Sequence, residues 1–159
     1  MSENKIKNIT VLASKTLEST EATTEAATSR KIVDSYYSEQ INITCKYTTG
    51  TAETGTNCYV KVWGYVGQAT DDNNFPYTSA KDVAIAGDST NWIQLGTYEN
   101  SSGTCSFTPA LLKIAGGAGA TSYTAHFAFG ITFSKIRVSA YETGVSSNKG
   151  ILTCVVSVQ

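Results

Sequence analysis

His126 is the one histidine in 159 residues, so any Ser/His or Cys/His nucleophilic chemistry would have to pass through it. It sits inside an alternating run, with Ser122, Thr124 and Ala128 on its own side and Tyr123, Ala125, Phe127 and Phe129 on the other. No carboxylate neighbours it in sequence to orient the ring, so the pattern predicts a structural histidine. Cys45, Cys58, Cys105 and Cys154 are scattered, with no Cys-x-x-Cys pair of the zinc or redox kind. They read as small buried thiols. A disulfide between Cys45 and Cys58 stays open, because their strands follow one another and could pair.

Asp71-Asp72-Asn73-Asn74 has oxygen ligands in the wrong order for a calcium loop, lacking the Asp-x-Asp-x-Asp-Gly spacing and the distal Glu. Gly116-Gly117-Ala118-Gly119-Ala120 lacks the Gly-Lys-Ser/Thr ending that grips phosphate. The acids cluster in a leading segment and in loops, where nothing apolar would raise a pKa for glycoside hydrolysis. No catalytic, cofactor-binding or metal-binding residue is assigned, and the chain is expected not to be an enzyme. Exposed aromatics could still stack on sugar rings, and Trp63, Tyr65 and the other tyrosines supply them.

Composition narrows the partners. Lys and Arg number 12 against 13 Asp and Glu, for a net charge of −1. Nucleic-acid binding therefore lacks its usual electrostatic term. Charged residues make up 16%, below the ~25% usual in soluble domains, so Thr, Ser, Asn and Gly must supply the polar surface. Such a weakly charged surface suits a protein packed against copies of itself or a partner. The first residues carry no apolar run of the signal-peptide kind, and no stretch approaches the ~20 apolar residues of a membrane helix. Synthesis and retention in a cytoplasm are expected, with no membrane partner.

The elements that would position these side chains are strands. Ile9 to Leu12 is short and apolar. Residues 14–29 form a Thr/Glu/Ala/Ser segment with little to bury, an arm or surface loop whose Glu18, Glu21 and Glu25 are candidate partner contacts. Ile41, Ile43, Cys45 and Tyr47 alternate with Asn42, Thr44, Lys46 and Thr48, the signature of a half-buried strand. In residues 58–66, Val60 and Val62 share one side while Tyr59, Trp63 and Tyr65 share the other. Such a strand is either covered on both faces or presents Tyr59, Trp63 and Tyr65 as a contact stripe. Residues 67–91 form a long polar connection, and Trp92 centres the next strand. Ala110-Leu111-Leu112-Lys113-Ile114-Ala115 is the only compact apolar stretch of helical character. Ile136, Val138 and Ala140 alternate with Arg137, Ser139 and Tyr141, and residues 151–158 close the chain. The predicted core is Trp92, Ile41, Ile43, Val60, Val62, Ile136 and Val138. The predicted fold is all-β: an antiparallel two-sheet sandwich, Ig-like or jelly-roll-like, of about eight strands. Residues 1–35 would be an N-terminal strand and arm, and 36–159 the sandwich, one domain overall.

From about residue 40 onward the chain resembles the small β-sandwich virion proteins of tailed bacteriophages. The likeness lies in Val60-Lys61-Val62-Trp63-Gly64, in Asp88-Ser89-Thr90-Asn91-Trp92-Ile93-Gln94-Leu95, and in Phe133-Ser134-Lys135-Ile136-Arg137-Val138-Ser139 before a Val-rich closing strand. Ser89-Thr90 stands where the pattern has Gly, and the connection before it is longer. The resemblance implies a capsid-decorating or auxiliary protein without an active site. It also implies that the protein is a homo-oligomer in the virion, made in the host cytoplasm, with capsid or tail subunits as partners. Trp92 would then be buried between the sheets, and Arg137 would lie opposite Ile136 and Val138 with its stem over apolar surface. The rival function is a carbohydrate-binding or receptor-binding module of an adhesin or tail fibre.

Overall fold

A computed structural model of the chain describes residues 6–17, 27–28, 32–35, 39–65, 92–101, 104–109, 112–130, 133–145 and 147–159. For residues 27–28, 92–93, 96–101 and 104–109 it describes the backbone alone. Glu18, Glu21, Glu25 and the Asp71–Asn74 run lie outside the described residues, as do the side chains of Trp92 and Cys105.

The described chain is all-β, as the alternating patterns predict. Its strands are β1 (Lys7–Thr16), β2 (Ala27–Thr28), β3 (Val33–Asp34), β4 (Gln40–Thr48), β5 (Asn57–Tyr65), β6 (Trp92–Gln94), β7 (Gly96–Ser101), β8 (Thr104–Pro109), β9 (Leu112–Ala115), β10 (Ser122–Gly130), β11 (Lys135–Thr143) and β12 (Ile151–Val158). The ones of six residues or more are β1, β4, β5, β7, β8, β10, β11 and β12.

The first sheet has the order β1-β12-β4-β10, every pair antiparallel. The second is built on β11 and β5, paired antiparallel from Ile136↔Gly64 to Thr143↔Asn57. Each of these long strands has its other edge covered by two short ones in succession. On β11 they are β3 and then β2; on β5 they are β9, opposite residues 57–60, and β6, opposite residues 63–65. β7 and β8 form a separate hairpin.

Side-chain alternation explains how the sheets face one another. Ile41, Ile43, Cys45 and Tyr47 of β4, with Leu152, Cys154, Val156 and Val158 of β12, turn inward from the first sheet. Cys58, Val60 and Val62 of β5 meet them from the second, with Ile136, Val138 and Ala140 of β11. Ile41, Ile43, Val60, Val62, Ile136 and Val138 are all buried, between 0% and 2% exposed.

Two local readings change. Leu112–Ala115, helix-like by composition, is strand β9 on the edge of β5. Its alternation decides: Ile114 is buried in the core while Lys113 and Ala115 are exposed, a two-residue period that no helix provides. Cys45 and Cys58 do not sit on paired strands, since β4 and β5 belong to opposite sheets. Cys45 lies instead across from Cys154 of β12, with the sulfurs 3.5 Å apart and both thiols free.

Candidate interaction surfaces

The aromatic side of β5 is the first candidate. The register sets Tyr59 opposite Tyr141, Lys61 opposite Ser139 and Trp63 opposite Arg137. The Tyr59 and Tyr141 rings stack with centroids 5.2 Å apart, and the Lys61 ammonium stands 4.9 Å over Tyr141. The Trp63 indole N–H donates to the Ser139 hydroxyl at 2.8 Å, and Gln94 of β6 lies opposite Trp63. At the far end Lys135 stands 5.2 Å over the Tyr65 ring. This is a ladder of rings and cations, each cation–π contact worth about 0.5–2 kcal/mol depending on desolvation. It is an inside ladder. Lys61, Trp63, Gln94, Arg137, Ser139 and Tyr141 are all buried, Trp63 to 1% exposure, while Tyr59 and Tyr65 are half-buried. β5 is thus covered on both faces, the first of its two sequence alternatives, and Trp63 is no exposed contact. Arg137 lies on the face opposite Ile136 and Val138, as expected.

One end of the sandwich holds two carboxylates that sequence reasoning did not single out, Glu142 near the end of β11 and Glu53 in the β4–β5 connection. Glu142 is fully buried; it continues the inward parity of Ile136, Val138 and Ala140 by one step, the one signal that could have found it. Its Oε1 accepts from the Tyr47 hydroxyl and its Oε2 from the Gly150 N–H at 2.7 Å. The Tyr47 proton goes to Glu142, so the Thr56 hydroxyl, 2.6 Å away, donates to the phenol oxygen. Glu53, 3% exposed, accepts the N–H groups of Ser147 at 2.7 Å and Asn148 at 2.6 Å. Glycine is required where these loops close. A Cβ on Gly50 would come within 1.8 Å of the Asn148 carbonyl oxygen. Both carboxylates therefore act as braces: Glu53 ties the β4–β5 connection to the β11–β12 connection, and Glu142 ties the end of that second connection to Tyr47 of β4.

Burial raises the Tyr47 pKa, and its hydrogen bond to Glu142 raises it further; burial likewise raises the Cys58 thiol. For Cys154 the hydrogen bond with Cys45 is the leading cause, with burial next. All three hold their protons longer folded than unfolded. Their stabilising effect is thus complete below the ordinary thiol value of 9.0 and is lost as pH rises above it. Urea midpoints are expected to fall steadily above pH 9.0, and more steeply above the ordinary phenol value of 10.0. A midpoint that stays level across this range would contradict the assignment.

The outer face of the first sheet is open. Asn42, Thr44, Lys46 and Thr48 of β4, the even-numbered residues of β10, and Ile151, Thr153, Val155 and Ser157 of β12 are exposed or half-buried. Hydroxyls and amides knit it together: Thr48 with Ser122 at 2.8 Å, Ser157 to Asn8 at 2.6 Å, and Thr44 with the His126 Nδ1 at 3.0 Å. His126 is exposed on this face and hydrogen-bonds Thr44, which supplies no carboxylate to make a base of it. Among the described residues no group of three or more His, Cys, Asp or Glu is placed to hold a metal ion.

No family model and no curated protein sequence matches the chain. Among solved structures, 97% of the chain is similar to 32% of a chain in the structure of infectious bursal disease virus, Gx strain, at 10% identity and a TM-score of 0.46. A chain in the T=1 particles derived from infectious bursal virus is similar to 99% of this one over 40% of its own length, at 11% identity and a TM-score of 0.26. The chain therefore spans less than half the length of either.

Proposed function

We propose that this chain is a non-enzymatic structural subunit of a virus particle, associated with a phage capsid and stabilising or extending it through contacts with capsid or tail subunits. One observation carries the reading: the broad open face is the hydroxyl-rich face of the first sheet, with Lys46 the one charge among the positions named on it. Flat, weakly charged surfaces of this kind suit permanent packing against another subunit better than capture of a charged small molecule. The titratable groups agree, since Glu53 and Glu142 are occupied as braces and His126 faces Thr44. The sequence resemblance to small β-sandwich virion proteins supplies the particle.

The test is cosedimentation with purified particles, where many copies per particle are expected. Thr44→Arg places a bulky charge on the open face and is expected to lower occupancy at least tenfold, about 1.4 kcal/mol, with an unchanged melting temperature. Absence from particles, together with saturable glycan binding that quenches tryptophan fluorescence, would replace this reading with the carbohydrate-binding one.

A further inference from the structure

The two edges of the first sheet are built differently. β1 is interrupted by register shifts between Thr10 and Leu12 and between Leu12 and Lys15, holds Ser14 at φ 48°, and carries Lys7 and Lys15. Bulges and lysines are the devices by which edge strands refuse further pairing. β10 has none of them. Its sequence, Ser-Tyr-Thr-Ala-His-Phe-Ala-Phe-Gly, contains no Lys, Arg, Asp, Glu or Pro, and its register with β4 is unbroken from Ser122 to Gly130.

The direction of its backbone groups follows from the neighbouring hydrogen bonds. The Thr49 N–H donates to the Thr121 carbonyl at 3.1 Å, which makes Thr49 and Thr121 a hydrogen-bonded pair. Such pairs alternate along an antiparallel ladder, so the odd-numbered residues of β10 bond β4. On the other side of β4, the Gln159 N–H donates to the Gln40 carbonyl, which gives the even-numbered residues of β4 to β12, in agreement. The N–H and C=O groups of Ser122, Thr124, His126, Ala128 and Gly130 therefore point away from the sheet, and β4 is the strand paired with β10 among the described residues.

We infer that β10 docks antiparallel against β10 of a second copy of this chain, about a two-fold axis at His126. The strand is self-complementary in that register. Ser122 meets Gly130 of the other copy, Thr124 meets Ala128 and His126 meets His126, so every outward N–H and C=O finds a partner. Shifting the axis along the strand strands one end. Tyr123 would face Phe129 and Ala125 would face Phe127 across the junction, covering aromatics that β10 leaves half-buried at the rim of the core. A net charge of −1 and an edge strand free of Lys, Arg, Asp and Glu leave little repulsion between copies. This pairing does not rest on the virion reading, because the register follows from β10 itself. A chain absent from particles could still dimerise in this way.

Analytical ultracentrifugation of the full chain is expected to give twice the 16.9 kDa monomer mass. Thr124→Pro removes an N–H that points away from β4 and should abolish the dimer while the fold remains, as proline is tolerated on an edge strand at such positions. His126→Cys gives an independent reading. In the proposed register its Cα lies about 5.5 Å from its counterpart, within the roughly 4.4–6.8 Å span of a disulfide, so oxidation should yield a cross-linked dimer. Thr124→Cys sits four residues from its own counterpart, roughly 14 Å away at ~3.4 Å per residue, and should not cross-link. A monomeric wild type overturns the proposal, as does a dimer that survives Thr124→Pro. So does cross-linking through Thr124→Cys in place of His126→Cys.

Discussion

A Trp63→Ala variant is expected to lose about 3–5 kcal/mol of stability, because a fully buried tryptophan leaves a cavity that a sheet cannot collapse around. Trp63 is pinned on three sides: by Arg137 opposite it on β11, by Gln94 opposite it on β6, and by the Ser139 hydroxyl that takes its indole proton. Truncation also leaves the Ser139 hydroxyl buried without that donor. For a chain of this size the loss corresponds to a fall in melting temperature of roughly 6–20 °C. Tyr59→Ala, at the half-buried end of the same ladder, should cost less than half as much. Denaturant melts of the two variants side by side make the comparison; equal losses would place Trp63 at the surface after all.

The second large effect concerns Glu142. Glu142→Leu removes the acceptor from both the Tyr47 hydroxyl and the Gly150 N–H, leaving the buried N–H unsatisfied at about 1–3 kcal/mol and the phenol with the Thr56 hydroxyl as its remaining partner. Tyr47→Phe alone removes one donor and leaves the carboxylate buried with less support. Removing both partners leaves fewer orphaned groups, so the double variant is expected to be more stable than the sum of the single losses predicts, by roughly 1–2 kcal/mol. A urea double-mutant cycle measures this directly. Strict additivity would mean that the two side chains do not hold each other.

The same residues mark how far the sequence could be read. β4, β10, β11 and β12 were legible because their inward and outward residues alternate, and alternation reports a face. It does not report a partner. Nothing in Cys45 or Cys58 says that β4 pairs with β12 and β10 while β5 pairs with β11, and the proposed Cys45–Cys58 proximity failed for that reason. Leu112–Ala115 misled because a short apolar run has too few residues to separate a period of two from one of 3.6. Trp63 stayed open between two readings because an aromatic stripe opposite a valine stripe reads alike whether its cover is another part of the chain or another molecule. Glu53 and Glu142 were passed over because a carboxylate in a turn-rich stretch is ordinarily solvated. The parity of β11 turns Glu142 inward, and only the meeting of the β4–β5 and β11–β12 connections buries Glu53.

β12 lies between β1 and β4, so the first sheet has its last strand in its middle. On a ribosome, β1 and β4 emerge early, yet β1 cannot find its neighbour in this sheet, and β4 cannot cover the edge facing β1, until residues 151–158 have been made. The sandwich therefore closes after synthesis of those residues rather than during it. Until then β4, with Ile41 and Ile43, offers one bare edge to whatever is near. A chain with this dependence folds slowly for its size and leans on early protection from its surroundings.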